Sequence, residues 1–262
     1  NCFILFCMVE GLTSTIEFQM SLLLFVALAG YLLASRINQS AVIGEILVGL
    51  LIGPSLLGLI TYTDFVRSVA HLGAVILLFV IGLEFRLKDI FNFKYSVIAL
   101  VGVIVPWIGG YYTARFFGYE FGSAIFVGTA LTATSIAITA NVLREMGKLQ
   151  TDAAKAIIGA AVIDDVLSLL ALSVSKQIVS GTFSLTSISL VVISALGFLL
   201  IGAYVGTKFL SKLVAKVDDT NIAKKFPEFV FIFAMMIAFL YAMVAELINL
   251  SAIVGSFIAG VS

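Results

Sequence analysis

Two adjacent aspartates, Asp164 and Asp165, stand inside the apolar stretch AAVIDDVLSLLAL. A carboxylate in such surroundings avoids a bare charge in one of two ways: it takes a proton or it holds a cation. Two neighbouring carboxylates cannot both stay ionised there without a cation or a basic partner, because desolvation and mutual repulsion act together. Hard oxygen donors suit a small hard cation such as sodium. If protons and a cation compete for one carboxylate, that competition is a complete exchange mechanism. Adjacent residues on a helix point about 100° apart. The two aspartates are therefore expected to differ in role, one facing an ion path and the other a neighbouring helix.

The stretch before them, TALTATSIAITAN, carries Thr129, Thr132, Thr134, Ser135, Thr139 and Asn141 within residues 129–141. Hydroxyls can satisfy backbone groups where a membrane helix is interrupted. An interrupted helix presents free carbonyls and half-helix ends to ions. The competing reading is a continuous helix whose hydroxyls bond back to its own carbonyls. Beside the aspartate pair, the interrupted helix is the reading adopted. Other polar positions are weaker candidates. Glu45 and Glu84 read as packing or interfacial residues, His71 as an interfacial polar group, and Lys155 as an anchor at the mouth of the aspartate helix.

The elements that hold these residues are membrane helices. Of 262 residues, 61% are hydrophobic and 11% charged, whereas a soluble domain carries about 25% charged residues. Such a chain in water would expose large apolar patches. A helix needs about 20 apolar residues to cross the hydrocarbon core. The pattern predicts helices at 18–35, 41–60, 66–84, 95–114, 121–143, 153–176, 184–207 and 227–247, with another beginning near 251. In the helix from 153, the aspartates lie about 17 Å from the start, close to the bilayer midplane. Gly49 and Gly53 form a GxxxG pair, expected to serve ordinary packing within the chain.

The same composition excludes several classes. A net charge of zero gives no global basic field for nucleic acid. One histidine and two cysteines, Cys2 and Cys7, supply neither a nucleophile–base set nor a zinc pattern nor a disulfide framework. No enzyme activity and no cofactor are expected. The sequence shows no pore-loop motif of an ion channel.

Basic residues orient the spans. Counted by alternate loops, twelve lie on one side, among them Arg36, Arg86, Arg144, Lys208 and Lys225. The other three are Arg67, Arg115 and Lys176. The positive-inside rule puts the twelve in the cytoplasm and the N-terminus outside.

A repeat spans the two ends of the chain. At an offset of 211 residues, the 34 residues from Glu17 and the 34 from Glu228 share ten identities. These include Glu17/Glu228, Asn38/Asn249, Ser40/Ser251, Gly44/Gly255 and Gly49/Gly260. Six predicted helices lie between Glu17 and residue 178, and a seventh at 184–210 is left over as a connector. That odd helix makes the second copy inverted with respect to the first, an arrangement typical of secondary transporters. The fold class expected is therefore all-α and polytopic, with inverted six-helix repeats. The first repeat covers 1–178. The second starts at 227–262 and is expected to be truncated in this chain.

The stretches AVIGEILVGLLIGPSLLG, HLGAVILLFVIGLEF, GTALTATSIAITANVLREMG and GAAVIDDVLSLLAL resemble, in order and spacing, the monovalent cation:proton antiporter-2 family, especially its prokaryotic sodium/proton antiporters. The resemblance implies thirteen helices, divided between a dimerisation domain (here helices 18–84) and a moving core domain (helices 95–176). It further implies a homodimer in the cell membrane that exchanges sodium for protons by an elevator-like swing and contributes to pH homeostasis. Asp165 would carry the ion and the proton, and Asp164 would pair with a basic residue of the second repeat. The unwound crossing segment would run from Thr132 to Ser135, with Thr132, Thr134 and Ser135 at the ion. Double aspartate resembles the electrogenic sodium type. A potassium/proton antiporter of the same family and a sodium-coupled solute symporter of similar fold are the alternatives.

Overall fold

The computed structural model describes residues 15–87, 93–181, 184–226 and 228–262. Cys2 and Cys7 lie outside the described residues. Every regular element among the described residues is a helix.

The helices begin and end where local chemistry dictates. Helix α1 (Ile16–Arg36) is capped by Thr15, whose hydroxyl accepts from Phe18 N at 3.4 Å. Helix α2 (Ala41–Ile52) is shorter than the predicted 41–60. It stops at Gly53, whose ψ of −178° leads into Pro54. Proline disfavours α geometry at the residue before it and has no N–H to continue the ladder. Helices α3 (Asp64–Gly82) and α4 (Phe93–Phe116) follow. The predicted helix at 121–143 is two helices, α5 (Phe121–Ala130) and α6 (Ile136–Glu145), with residues 131–135 unwound between them.

Helix α7 (Asp152–Ser180) carries the aspartate pair. Thr151 caps its start by accepting from Ala154 N at 3.2 Å, and Gly181 ends it in left-handed geometry, φ 69°. Helix α8 (Leu185–Val205) runs on through a π-turn at Gly206–Leu210 into α9 (Ser211–Asp218), so the predicted helix at 184–207 extends further. Lys208, Lys212 and Lys216 stud this extension, a composition suited to the membrane surface. A short α10 (Asn221–Lys225), then α11 (Glu228–Leu247) and α12 (Ala252–Val261), complete the chain.

Among the described residues six helices are long and apolar enough to cross a membrane: α1, α3, α4, α7, the continuous α8–α9 and α11. Their outward faces are apolar. On α1, Leu24, Phe25, Leu28 and Leu32 are all more than half exposed, which suits lipid and not water.

The described residues divide into two compact units, one reaching to Gly73 and taking in Asn141–Gly147, the other comprising Ala74–Ala140 and Lys148–Ser262. Within the first, α1 and α2 pack as a hairpin, and a Cβ on Gly44 would collide with the Gly30 carbonyl. Glu145 caps α2 from the 141–147 segment: Oε2 accepts from Ser40 Oγ at 2.6 Å and from Ala41 N at 2.9 Å. Within the second unit, α7 is the most enclosed of the long helices. Ile158, Val162, Phe257 and Ile258 are fully buried there.

The two repeat copies fold alike locally. Asn38 (φ 52°) and Asn249 (φ 63°) both take the left-handed conformation at the hairpin turn. Asparagine tolerates that region because its short polar side chain can bond locally. Gln39 N and Leu250 N then donate to Ala34 O and Ala245 O at 3.0 and 2.9 Å. Gly255 meets the Tyr241 backbone just as Gly44 meets that of Gly30, at the offset of the repeat. The GxxxG pair behaves differently. A Cβ on Gly49 would meet nothing within 4 Å, and one on Gly53 would meet only Gly49 of its own helix. No close packing runs through that pair among the described residues.

Candidate functional site

The second unit brings together α7, the unwound segment 131–135 and the start of α12. Unwinding leaves backbone amides without helical partners, and these must be satisfied elsewhere. Thr134 N donates to Asp164 Oδ2 at 3.2 Å. The backbone amide of Ser251, immediately ahead of α12, approaches the Asp165 carboxylate. Each aspartate thus faces the start of a different helix, where oriented amides favour negative charge.

The pair divides as its 100° separation requires. Asp164 is buried, 5% exposed, and turned to the broken segment. Asp165 is partly buried and lines a cleft of about 450 Å³ with Thr129, Ala133 and Ser168. Three buried side-chain oxygens of this region have no hydrogen-bond partner: Asp164 Oδ1, Asp165 Oδ2 and Ser168 Oγ.

The hydroxyls of the broken segment are largely occupied with backbone. Thr132 is buried, and its Oγ1 donates to Thr129 O at 2.7 Å, closing the end of α5. Ser135 Oγ accepts from Ile138 N at 3.4 Å, starting α6. Thr134 and Ser135 are exposed at the break, and Thr134 reaches Asp164 with both backbone and side chain. Behind the cleft sits a buried polar cluster that sequence reasoning did not anticipate. Thr129 Oγ1 lies 2.6 Å from Ser175 Oγ, accepts from Trp107 Nε1 at 3.2 Å and donates to Ile125 O at 2.9 Å. It pins α4, α5 and α7 to one another beside the aspartates.

The weaker candidates lie elsewhere. Glu45 and Glu145 line a separate cleft of about 830 Å³ in the first unit. Glu84 is exposed after α3, its carbonyl accepting from Gln150 Nε2 at 2.7 Å. His71 is exposed on α3, and Lys155 is partly buried in the first turn of α7.

Long apolar helices, one of them carrying a carboxylate pair beside an interrupted helix, make this a multi-pass membrane protein. Comparison with known proteins gives the family. Residues 22–262 match the family described as sodium/hydrogen exchanger, transmembrane, and the chain belongs to it. It is 30% identical over 247 residues to the Na(+)/H(+)-K(+) antiporter GerN of Bacillus cereus, covering 94% of this chain and 62% of that protein. The probable Na(+)/H(+) antiporter GerT of the same organism is 34% identical over 244 residues, with 92% of this chain and 63% of GerT covered. The high-affinity Na(+)/H(+) antiporter NhaS3 of Synechocystis is 32% identical over 265 residues, with coverage of 86% and 56%. The chain therefore spans between 56% and 63% of the length of these relatives, all of which are named as antiporters.

Proposed function

We propose that this protein exchanges sodium for protons across the cell membrane, with Asp165 holding the cation and the proton in turn. The observation that carries the reading is the carboxylate pair in α7, with Asp164 tied to the unwound backbone and Asp165 facing a cleft. Asp165 has the properties an exchange site needs. It is withdrawn from bulk water, so its charge is stable only with a proton or a cation on it. Its Oδ2 has no protein partner and is available to either. Binding of one excludes the other. A sodium ion entering from one side displaces the proton, and on the opposite side the proton returns and the sodium leaves.

Asp164 serves as a fixed acceptor that holds the two half-helices in register with α7. Thr132 and Ser135 close the ends of those half-helices, and Thr134 supplies the amide that meets Asp164. Alternating exposure of the site follows an elevator-like movement of core helices against a dimerisation domain in a homodimer. The two repeats are inverted around the midplane, and the N-terminus faces outside. The name of GerN, a Na(+)/H(+)-K(+) antiporter, favours potassium as a second transported cation.

The test is Asp165→Asn in the intact protein reconstituted in liposomes. Asparagine keeps size and polarity and removes both charge and titration. Sodium-driven proton flux is expected to vanish, while the variant unfolds at the same temperature as the wild type. Normal exchange by this variant would remove Asp165 from the mechanism.

A further inference from the structure

The buried oxygens without partners are not scattered. Among the described residues they are three, Asp164 Oδ1, Asp165 Oδ2 and Ser168 Oγ, and all fall within a little over one turn of α7. Ser168 follows Asp165 by three residues and Asp164 by four, so it stands on the helix face that both carboxylates border. It also lines the cleft that Asp165 faces.

The lone hydroxyl is unusual in this protein. A serine within a helix ordinarily bonds back to a carbonyl three or four residues earlier. Ser194 does so with Val191 O at 3.1 Å, and Ser211 with Thr207 O at 2.6 Å. The neighbouring buried hydroxyls are occupied too: Thr129 by Trp107, Ser175 and Ile125 O, and Thr132 by Thr129 O. Ser168 approaches the Asp164 carboxylate near enough for a weak side-chain hydrogen bond, but at full hydrogen-bond geometry its Oγ has no partner. A buried hydroxyl left unsatisfied in apolar surroundings is costly, and native structures rarely keep one without a ligand to meet it.

We propose that the Ser168 hydroxyl is a ligand of the transported cation, adding a neutral oxygen to the carboxylate oxygen of Asp165. The inference rests on the assignment of Asp165 as the ion-carrying group. A hydroxyl suits both states of such a site, since it offers two lone pairs and one proton. When Asp165 is ionised, Ser168 Oγ turns a lone pair to the cation. When Asp165 is protonated, the same oxygen accepts the carboxyl O–H. Being neutral, it contributes to affinity without altering the charge moved per cycle.

The experiment uses the intact protein in proteoliposomes and reads proton flux against pulses of NaCl, LiCl and KCl. Ser168→Ala is expected to raise the apparent KM for sodium by about tenfold, the effect of one lost polar partner to a charged group. Charge moved per sodium and the thermal unfolding temperature remain those of the wild type. Ser168→Thr, which keeps the oxygen, restores the KM. Ser168→Cys keeps the shape but offers a soft sulfur that hard cations bind poorly, so it behaves like alanine. A wild-type KM in Ser168→Ala, or a raised KM in Ser168→Thr equal to that of alanine, overturns the ligand role. The failures are separable. If Asp165→Asn still exchanges, the site assignment itself falls. If Asp165→Asn is inactive while Ser168→Ala keeps its sodium KM, only the role of Ser168 falls.

Discussion

At the scale of single residues, the two aspartates are chemically identical and differ only in what faces them. Asp164 Oδ2 receives the Thr134 amide at 3.2 Å, whereas Asp165 opens to the cleft. Asp164→Asn keeps an oxygen that can accept the same N–H, so the broken helix stays attached while one charge and one titrating group are lost. We expect this variant to retain sodium/proton exchange at a lower rate and to move less charge per cycle. The measurement is membrane-potential generation together with proton flux in proteoliposomes between about pH 6 and pH 9, a range well above ordinary carboxylate values. If Asp164→Asn and Asp165→Asn both behave as the wild type does, the pair is structural and plays no part in transport. The aspartates were legible in the sequence because charge inside an apolar span is expensive and therefore rare. Ser168 was not, because serine is cheap in such a span and its missing partner becomes visible only when the neighbouring helices are in place. Nor was the cap that Glu145 gives α2, which joins residues 104 and 105 positions apart.

At the scale of elements, the hydropathy pattern located the spans to within a few residues, and the departures have local causes. Helix α2 ends early because Gly53 precedes a proline, whereas the interruption expected from Thr132 to Ser135 is present, residues 131–135 being unwound between α5 and α6. The π-turn at Gly206–Leu210 left no periodic signal, since one added residue per turn does not interrupt an apolar run. Glycine spacing was the least reliable guide. The GxxxG pair drew attention, yet a Cβ on Gly49 would meet nothing within 4 Å, while Gly44 lies against the Gly30 backbone. The difference is testable by thermal unfolding of the detergent-purified protein. Gly44→Ala places a methyl group against a carbonyl that cannot move without opening the hairpin, and should cost about 1–3 kcal/mol, a drop of several degrees. Gly49→Ala adds a methyl group in open space on the same helix and should leave the unfolding temperature unchanged or raise it slightly. Equal effects of the two substitutions would mean that α1 and α2 do not pack through Gly44.

At the scale of the whole molecule, the arrangement across the membrane rests on three kinds of observation. Among the described residues six helices are long and apolar enough to cross, and the proposed topology sets twelve basic residues on one side against three on the other. The first and last hairpins share their turn conformation and their glycine contact. The short helices α5 and α6 count together as one crossing, since ten residues of helix reach only about 15 Å, half the hydrocarbon thickness. Taking α2 with residues 53–60 after it as a further crossing, seven crossings run from the start of α1 to the start of α11, and the proposed inverted repeat then has the two similar hairpins entering from opposite faces. Single cysteines in a background with Cys2→Ser and Cys7→Ser test this directly. Asp219→Cys, between α9 and α10, should react with a membrane-impermeant maleimide only from the cytoplasmic side. Asp64→Cys at the start of α3 and Ser180→Cys at the end of α7 should react only from outside. All three positions are exposed, so access to reagent and not burial decides the result. Labelling of all three from one side would mean that a crossing has been miscounted between residues 64 and 219. The hairpins would then enter from the same face, and the inverted repeat, with the midplane position it gives Asp164 and Asp165, would have to be abandoned.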